Sequence, residues 1–299
     1  MSDPLLSQLA ERLARPVEEG TRQRARLHLL DWLACIAGAR QSEAGELGAV
    51  ISHAGWERAT YLGYVLGRED SSPIGGVRPG PVVWPAALSM GSAAMDARLD
   101  AAIRGYEAMI AVGASLGEYH SRHWNASATA GLFGACAAFG SLIGFAPVEY
   151  ANAMGNAGSV GGGLLQGLDG ELLTRQWQVY HAVRTGRDAA MHVHYGATGP
   201  LDLLEGERGL FAAMTDRAQP LGETPGGWLI EQVLCLPADS DDEHGANREP
   251  ASAAQSAKME ALASAGLLGP GEAERAVNIA LHGNDAGELD ALVNRWLGG

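Results

Sequence analysis

The sequence predicts a mainly α protein, and three observations predict it. Apolar residues recur at helical spacing through most of the chain, and the stretch from Ala126 to Ile143 is almost wholly small or apolar. Much of the apolar mass is Ala, Leu and Val, with aromatics at only 6% and glycines numbering 41. Ala and Leu favour helices, and small residues let helices approach closely. Only Trp228 to Leu236 reads as a possible strand. With 299 residues, 46% of them hydrophobic, the chain can bury a large core.

Taken in order, amphipathic helices are predicted over 5–15 and 22–38. In the second, Leu27, Leu30, Leu33, Ala34 and Ala37 share a face, and Gly38 closes it. A short helix is expected over 43–54. Gly67 to Pro85 holds four prolines and several glycines, so it predicts a long loop without a regular element. Helices resume at 85–97 and 99–117. A polar loop, Glu118 to Asn125, leads into the buried helix Ala126–Ile143. Further helices are expected over 147–165, with Gly161-Gly162-Gly163 near its end, and over 174–195. Residues 219–252, with their acidic run Asp239 to Glu243, predict a linker. Helices return at 253–265, 271–281 and 286–297. The expected organisation is a helical domain over 1–218, a linker over 219–252, and C-terminal helices over 253–299 that pack back on it.

Charge and cysteine usage exclude several functions. A net charge of −14, from 21 basic and 35 acidic residues, disfavours nucleic-acid binding, where phosphate contacts supply most affinity. Cys35, Cys136 and Cys235 are widely spaced and form no CxxC pair, which argues against a zinc or disulfide framework and for a reducing cytoplasm. Met1 is followed by polar Ser2-Asp3-Pro4, not by a secretory n-region, and no long apolar run suggests a membrane span. Lys258 is the only lysine.

Four polar clusters interrupt the apolar helices. Arg68-Glu69-Asp70-Ser71-Ser72, followed by Arg78-Pro79-Gly80-Pro81, offers adjacent carboxylates that could orient water or act as a base; a solvated turn is the alternative. His120 to Thr129 combines two imidazoles, a guanidinium, an amide and hydroxyls where a buried helix begins. Asn125 or Ser127 could cap that helix, and its N-terminus with Arg122 could seat a carboxylate; a capped helix start with surface histidines is the alternative. Gly161 to Gly170 is neither a Walker A loop nor a dinucleotide fingerprint, so its glycines serve close backbone approach to a helix or a ligand. In the fourth, Arg175, Gln178 and His181 follow at i, i+3 and i+6 and roughly share a helix face. Neither HExxH nor GxSxG occurs, so no metal site and no Ser/His/Asp hydrolysis is expected.

These clusters, in this order, resemble the 2-methylcitrate dehydratase / cis-aconitate decarboxylase (MmgE/PrpD) family. The similar stretches are Ala25–Gly38, Leu66–Asp70, Arg78–Leu88, Ala101–Gly113, His120–Gly144, Gly163–Gly170, Ala182–Pro200, Leu204–Phe211 and Arg248–Leu268. The resemblance implies a large helical domain, usually dimeric, with a smaller α/β lid. It implies lyase or isomerase activity on polycarboxylates through proton transfer beside a carboxylate, without a cofactor. Here the α/β lid is expected to be largely deleted, since only 219–252 remains to hold it.

The departures bear on chemistry. Ser72, Arg78, Asn125, Arg175 and Gln178 stand where the family tends to have His, His, His, Lys and His. Arg stays protonated, and Ser, Asn and Gln are poor acid–base groups. The resulting expectation is a divergent dehydratase-like lyase or an isomerase, in a specialised biosynthetic pathway. It would act on a small carboxylated substrate, with Asp70 as the base and His123 or His181 as the second proton-transfer group. Arg78, Arg122 and Arg175 would bind carboxylates, and Glu69, Asn125, Ser127, Thr129, Gln166 and Gln178 would complete the binding wall. The alternative is an inactive member that binds a ligand or assists a full-length paralogue. A homodimer is expected, without nucleic-acid or membrane partners.

Overall fold

The computed structural model describes residues 3–51, 55–63, 69–169, 173–236, 250–264 and 268–297. The predicted helix end at 52–54, Gly67 and Arg68 of the first polar loop, Gly170 and the acidic run Asp239–Glu243 lie outside these residues. The helices are α1 (Leu5–Leu13), α2 (Glu19–Ala39), α3 (Glu43–Ile51), α4 (Gly55–Leu62), α5 (Gly80–Ala87), α6 (Met95–Ser115) and α7 (Gly117–Ser121). They continue with α8 (Ala126–Leu142), α9 (Pro147–Gly158), α10 (Thr174–His194), α11 (Leu210–Met214), α12 (Ser252–Ser264), α13 (Glu272–His282) and α14 (Ala286–Leu297). Among the described residues the only β pairing is two isolated bridges, Ser71 with Leu234 and Trp124 with Leu164. The mainly α expectation holds. No helix among them is long and apolar enough to cross a membrane.

The chargeless sequence of α8 makes it the centre. Ser127 to Gly140 are all buried. The helix packs on α6 and α10, with α9 and α5 closing its remaining sides. Glycine permits that density at two crossings. A Cβ on Gly134 would lie 2.7 Å from the Met109 Cβ and 3.0 Å from the Gly105 carbonyl oxygen on α6. One on Gly186 of α10 would lie 2.7 Å from the Ala135 Cβ. Backbones at such distances leave no room for even a methyl group.

Around this centre, α2 is buried along most of its length and receives α12 and α13 on its outer side. Residues 219–236 run along α6, where Gly222 N–H donates to the Ala111 carbonyl (2.9 Å) and Leu229 N–H to Glu107 Oε2 (2.7 Å). Arg12 of α1 also binds Glu107, so one buried carboxylate ties three segments. Trp228–Leu236 is not a strand. Leu229–Gln232 form a 3-10 turn, and Leu234 alone pairs with Ser71.

Proline placement misled the expectation for 67–97. Helix α5 starts inside the predicted loop and runs through Pro85. Pro81 stands in the first turn, where an N–H has no helical acceptor anyway. Pro85 removes one further bond from a helix of eight residues, all buried. The helix expected at 85–97 is therefore split, with a turn between α5 and α6. Helices α4, α7 and α11 were not anticipated. The predicted 147–165 helix stops at Gly158, before the glycine triplet.

Candidate functional site

The first polar cluster folds inward. Ser71 pairs with Leu234 on both sides of the bridge, which draws Glu69 and Asp70 under α2 and α5. Asp70 is 2% exposed. Its Oδ1 accepts from Gly80 N–H at the start of α5 (2.8 Å), and its Oδ2 meets His28 Nδ1 (3.1 Å) and the Tyr106 hydroxyl. Gly80 must be glycine here, because a Cβ would sit 2.7 Å from Asp70 Oδ1. Beside this group, Lys258 of α12 binds Asp31 of α2 at 2.9 Å, with both side chains buried. Burial opposes the Lys258 ammonium, but Asp31 and Cys35 more than offset it and hold its pKa above the ordinary value. Burial, then the neighbouring Asp70 carboxylate, pushes the Tyr106 phenol well up. Burial likewise raises the Cys235 thiol, whose sulfur lies 3.7 Å from His28 Nδ1. Glu69 accepts from Arg78 at 2.7 Å; burial raises its pKa, against the pull of Arg78.

This geometry gives two of the expected site residues partners inside the fold. Asp70 is buried, takes part in three hydrogen bonds inside the fold and is not on the wall of the α8/α10 cavity. Arg78 is committed to a buried carboxylate and is not presented to an outside one.

The second cluster divides between inside and outside. Asn125 caps α8, its Oδ1 accepting from Ser127 N–H at 3.1 Å, while Ala128 and Thr129 N–H turn to the Asn125 carbonyl. The helix N-terminus is thus closed by its own cap, and the expected anion seat is occupied by Asn125. Ser127 Oγ accepts from Arg78 N–H (3.0 Å), and Asn125 Nδ2 donates to Gln178 Oε1 (3.0 Å). His120 is fully buried. Its Nε2 meets Thr129 Oγ1 at 3.0 Å, and that hydroxyl donates to the Gly162 carbonyl at 2.8 Å. Burial pushes the His120 pKa down to about 4, so the ring stays neutral. Arg122 and His123 face outward. Arg122 pairs with exposed Glu118, and His123 Nδ1 lies 2.9 Å from the Tyr119 carbonyl. Neither side chain is on the wall of the principal cavity, although the His123 ring lies 5.5 Å from that of Trp124, which is.

The principal cavity, about 720 Å³, lies between the first turns of α8, the 160–167 loop and α10. The Trp124–Leu164 bridge seats the loop against α8. Gly163 adopts φ +104°, and a Cβ on it would lie 2.7 Å from the Ala128 Cβ. On α10 the cavity stripe is Thr174, Trp177, Gln178, His181 and Ala182, spaced i, i+3, i+4, i+7 and i+8. At about 100° per residue, Thr174 and His181 diverge by only about 20°, whereas Arg175 and His181 diverge by about 120°. Of the predicted face, Gln178 and His181 line the cavity, and Arg175 does not; Thr174 takes that place.

Among the described residues, no side chain on the cavity wall is an acid, an arginine or a lysine, and His181 is the one titratable group there. The Trp177 and His181 rings stack, with centroids 6.5 Å apart and planes at 21°. Gln178 is committed at both ends, to Asn125 and to the Leu164 carbonyl (3.0 Å). Gln166 donates Nε2 to Asp169, leaving its carbonyl oxygen. The main-chain N–H groups of Gly162, Gly163 and Leu164 donate to no acceptor among the described residues. No group of three or more metal-ligating side chains occurs among them either.

Of the predicted residues, Gln166, Gln178 and His181 therefore line the cavity. Asn125 and Thr129 stand behind it, through Gln178 and Gly162. Ser127 links it to the Glu69–Arg78 pair. Sequence reasoning passed over Trp124, Leu132, Thr174, Trp177 and Met214 on the wall, and His28, Asp31, Tyr106 and Lys258 in the buried cluster. The spacing of Thr174, Trp177, Gln178 and His181 carries the first signal, and the isolation of Lys258 as the sole lysine carries the second.

A helical scaffold with a side cavity against a chargeless central helix defines the class, and comparison supplies the family. The profile of the MmgE/PrpD N-terminal domain matches residues 69–221, so the chain belongs to the MmgE/PrpD family. No curated protein matches it.

Proposed function

We propose that the chain is a lyase- or isomerase-type member of its family that handles a small carbonyl compound in the α8/α10 cavity. His181 moves the proton at carbon beside the carbonyl. The supporting observation is the cavity itself, where among the described residues His181 is the single titratable side chain and three main-chain N–H groups of the wall have no protein acceptor. An imidazole suits proton transfer near neutral pH, and N–H donors suit the oxygen that gains charge when the neighbouring carbon loses its proton.

A second reading has its own support. The carboxylate expected as base is engaged in three hydrogen bonds inside the fold, and among the described residues no carboxylate edges the cavity. A ligand-binding member without turnover fits that observation.

Incubation in D₂O separates the two. Citrate, 2-methylcitrate, cis-aconitate and the neutral ketone 2-acetonaphthone are each followed by NMR for product or for deuterium beside the carbonyl. Exchange that disappears in His181→Gln supports the enzyme. Binding without exchange favours the second reading, and exchange that survives His181→Gln removes His181 from the role.

A further inference from the structure

We infer that the cavity takes a neutral, planar, largely apolar molecule bearing a carbonyl oxygen, and not a polycarboxylate. This deepens the proposed function and rests on its placement of the site in the α8/α10 cavity.

Three features of the wall carry the inference. The first is charge. Among the described residues neither acid nor arginine nor lysine lines the cavity, and the chain carries a net charge of −14. An anion entering would lose water and gain no counter-charge, in the field of an acidic protein. The arginines that the sequence offers for carboxylates are directed elsewhere. Arg78 faces Glu69, Arg122 faces Glu118, and Arg175 is off the wall.

The second is shape and surface. At about 720 Å³ the cavity falls within the range, about 300–1,000 Å³, that holds drug-sized ligands. Trp124 and Trp177 bring two indoles to it. Trp177 keeps 54% of its surface exposed, while His181 stacks alongside. Such an exposed aromatic face is apolar area waiting for a planar partner.

The third is the pattern of donors and acceptors. Gln178 is engaged at both ends, and the donors left on the wall are the N–H groups of Gly162, Gly163 and Leu164, with the Thr174 hydroxyl, beside the Gln166 amide oxygen as an acceptor. Donors call for an acceptor oxygen. A carbonyl meets that demand while the apolar body lies on the indoles, without bringing a charge.

The test is titration calorimetry of the full chain near neutral pH with two probes of similar size, 2-acetonaphthone and 2-naphthoate, and with citrate. The neutral ketone is expected to bind saturably, and 2-naphthoate about tenfold or more weaker. Trp177→Ala should weaken the ketone about tenfold without lowering the melting temperature, because that indole is half exposed. Gly162→Leu, whose new Cβ meets nothing within 4 Å, should block binding while the chain stays folded. If 2-naphthoate or citrate binds as tightly as the ketone and both variants weaken it, the neutral-ligand inference falls and the cavity reading stands. If no probe binds, or binding ignores both variants, the inference falls together with the cavity reading.

Discussion

Around Asp70, carboxylates, an ammonium, an imidazole and a phenol are withdrawn from water and paired with one another. At the cavity between α8 and α10 the wall, among the described residues, carries no acid, arginine or lysine, and main-chain donors there stand without acceptors. The first region is rich in chemistry and spends most of it internally, with His28 Nε2 left as a buried atom without a partner among the described residues. The second is poor in charge and has capacity left over. A buried charge must be met by an internal partner or it destabilises the fold, so the density of ionisable residues marks structural demand as readily as function. Capacity for a ligand belongs to whatever the fold leaves unsatisfied.

The largest expected effect lies in the first region. Lys258→Met leaves Asp31 as a buried carboxylate without its counter-ion, a loss on the order of 3–5 kcal/mol. Thermal or denaturant unfolding would show a large drop in midpoint. Asp31→Leu combined with Lys258→Met should restore most of it, since a buried pair is replaceable by apolar groups of similar volume. A near-native midpoint for Lys258→Met alone would mean that α12 rests loosely on α2 and that the cluster is less closed than its geometry.

Asp70→Asn sharpens the contrast directly. An amide replaces one acceptor oxygen by a donor opposite the Tyr106 hydroxyl, His28 or Gly80 N–H, at a cost of about 2 kcal/mol. Ketone binding in the cavity should stay within about twofold of the parent. The opposite result, unchanged stability with loss of deuterium exchange, would make Asp70 a working base and erase the distinction between the regions.

The same distinction explains what was legible in the sequence. The central helix and its Asn125 cap could be read from Ala126–Ile143, because a helix without charge has only one place to go and its cap is a local bond. The meeting of the 69–78, 125–129 and 175–181 segments was also foreseeable in outline, and the Glu69–Arg78–Ser127–Asn125–Gln178 bonds join them. The direction of each side chain was not. Whether Asp70 faces water or α5 depends on the Ser71–Leu234 bridge, which joins residues far apart in the chain. On α10, Gln178 and His181 were legible, and only Arg175 was chosen where its neutral neighbour Thr174 lines the cavity. Helix α5 was hidden because two prolines read as breakers where burial and first-turn position make them tolerable.

The smallest predicted effect tests the same lesson from the surface. Arg122 was nominated because it precedes a helix N-terminus, a local argument that ignores where its guanidinium goes. It pairs with Glu118 one turn earlier on exposed α7, with side chains 67% and 81% exposed. Water screens such a pair, so Arg122→Ala should change stability by less than about 0.5 kcal/mol. Its effect on ketone affinity should be equally slight, because the cavity wall does not include it. A tenfold loss of affinity in Arg122→Ala, at unchanged melting temperature, would require the guanidinium to leave Glu118 and turn inward. The cavity would then be cationic when loaded, and the contrast with the cluster around Asp70 would hold only for the empty protein.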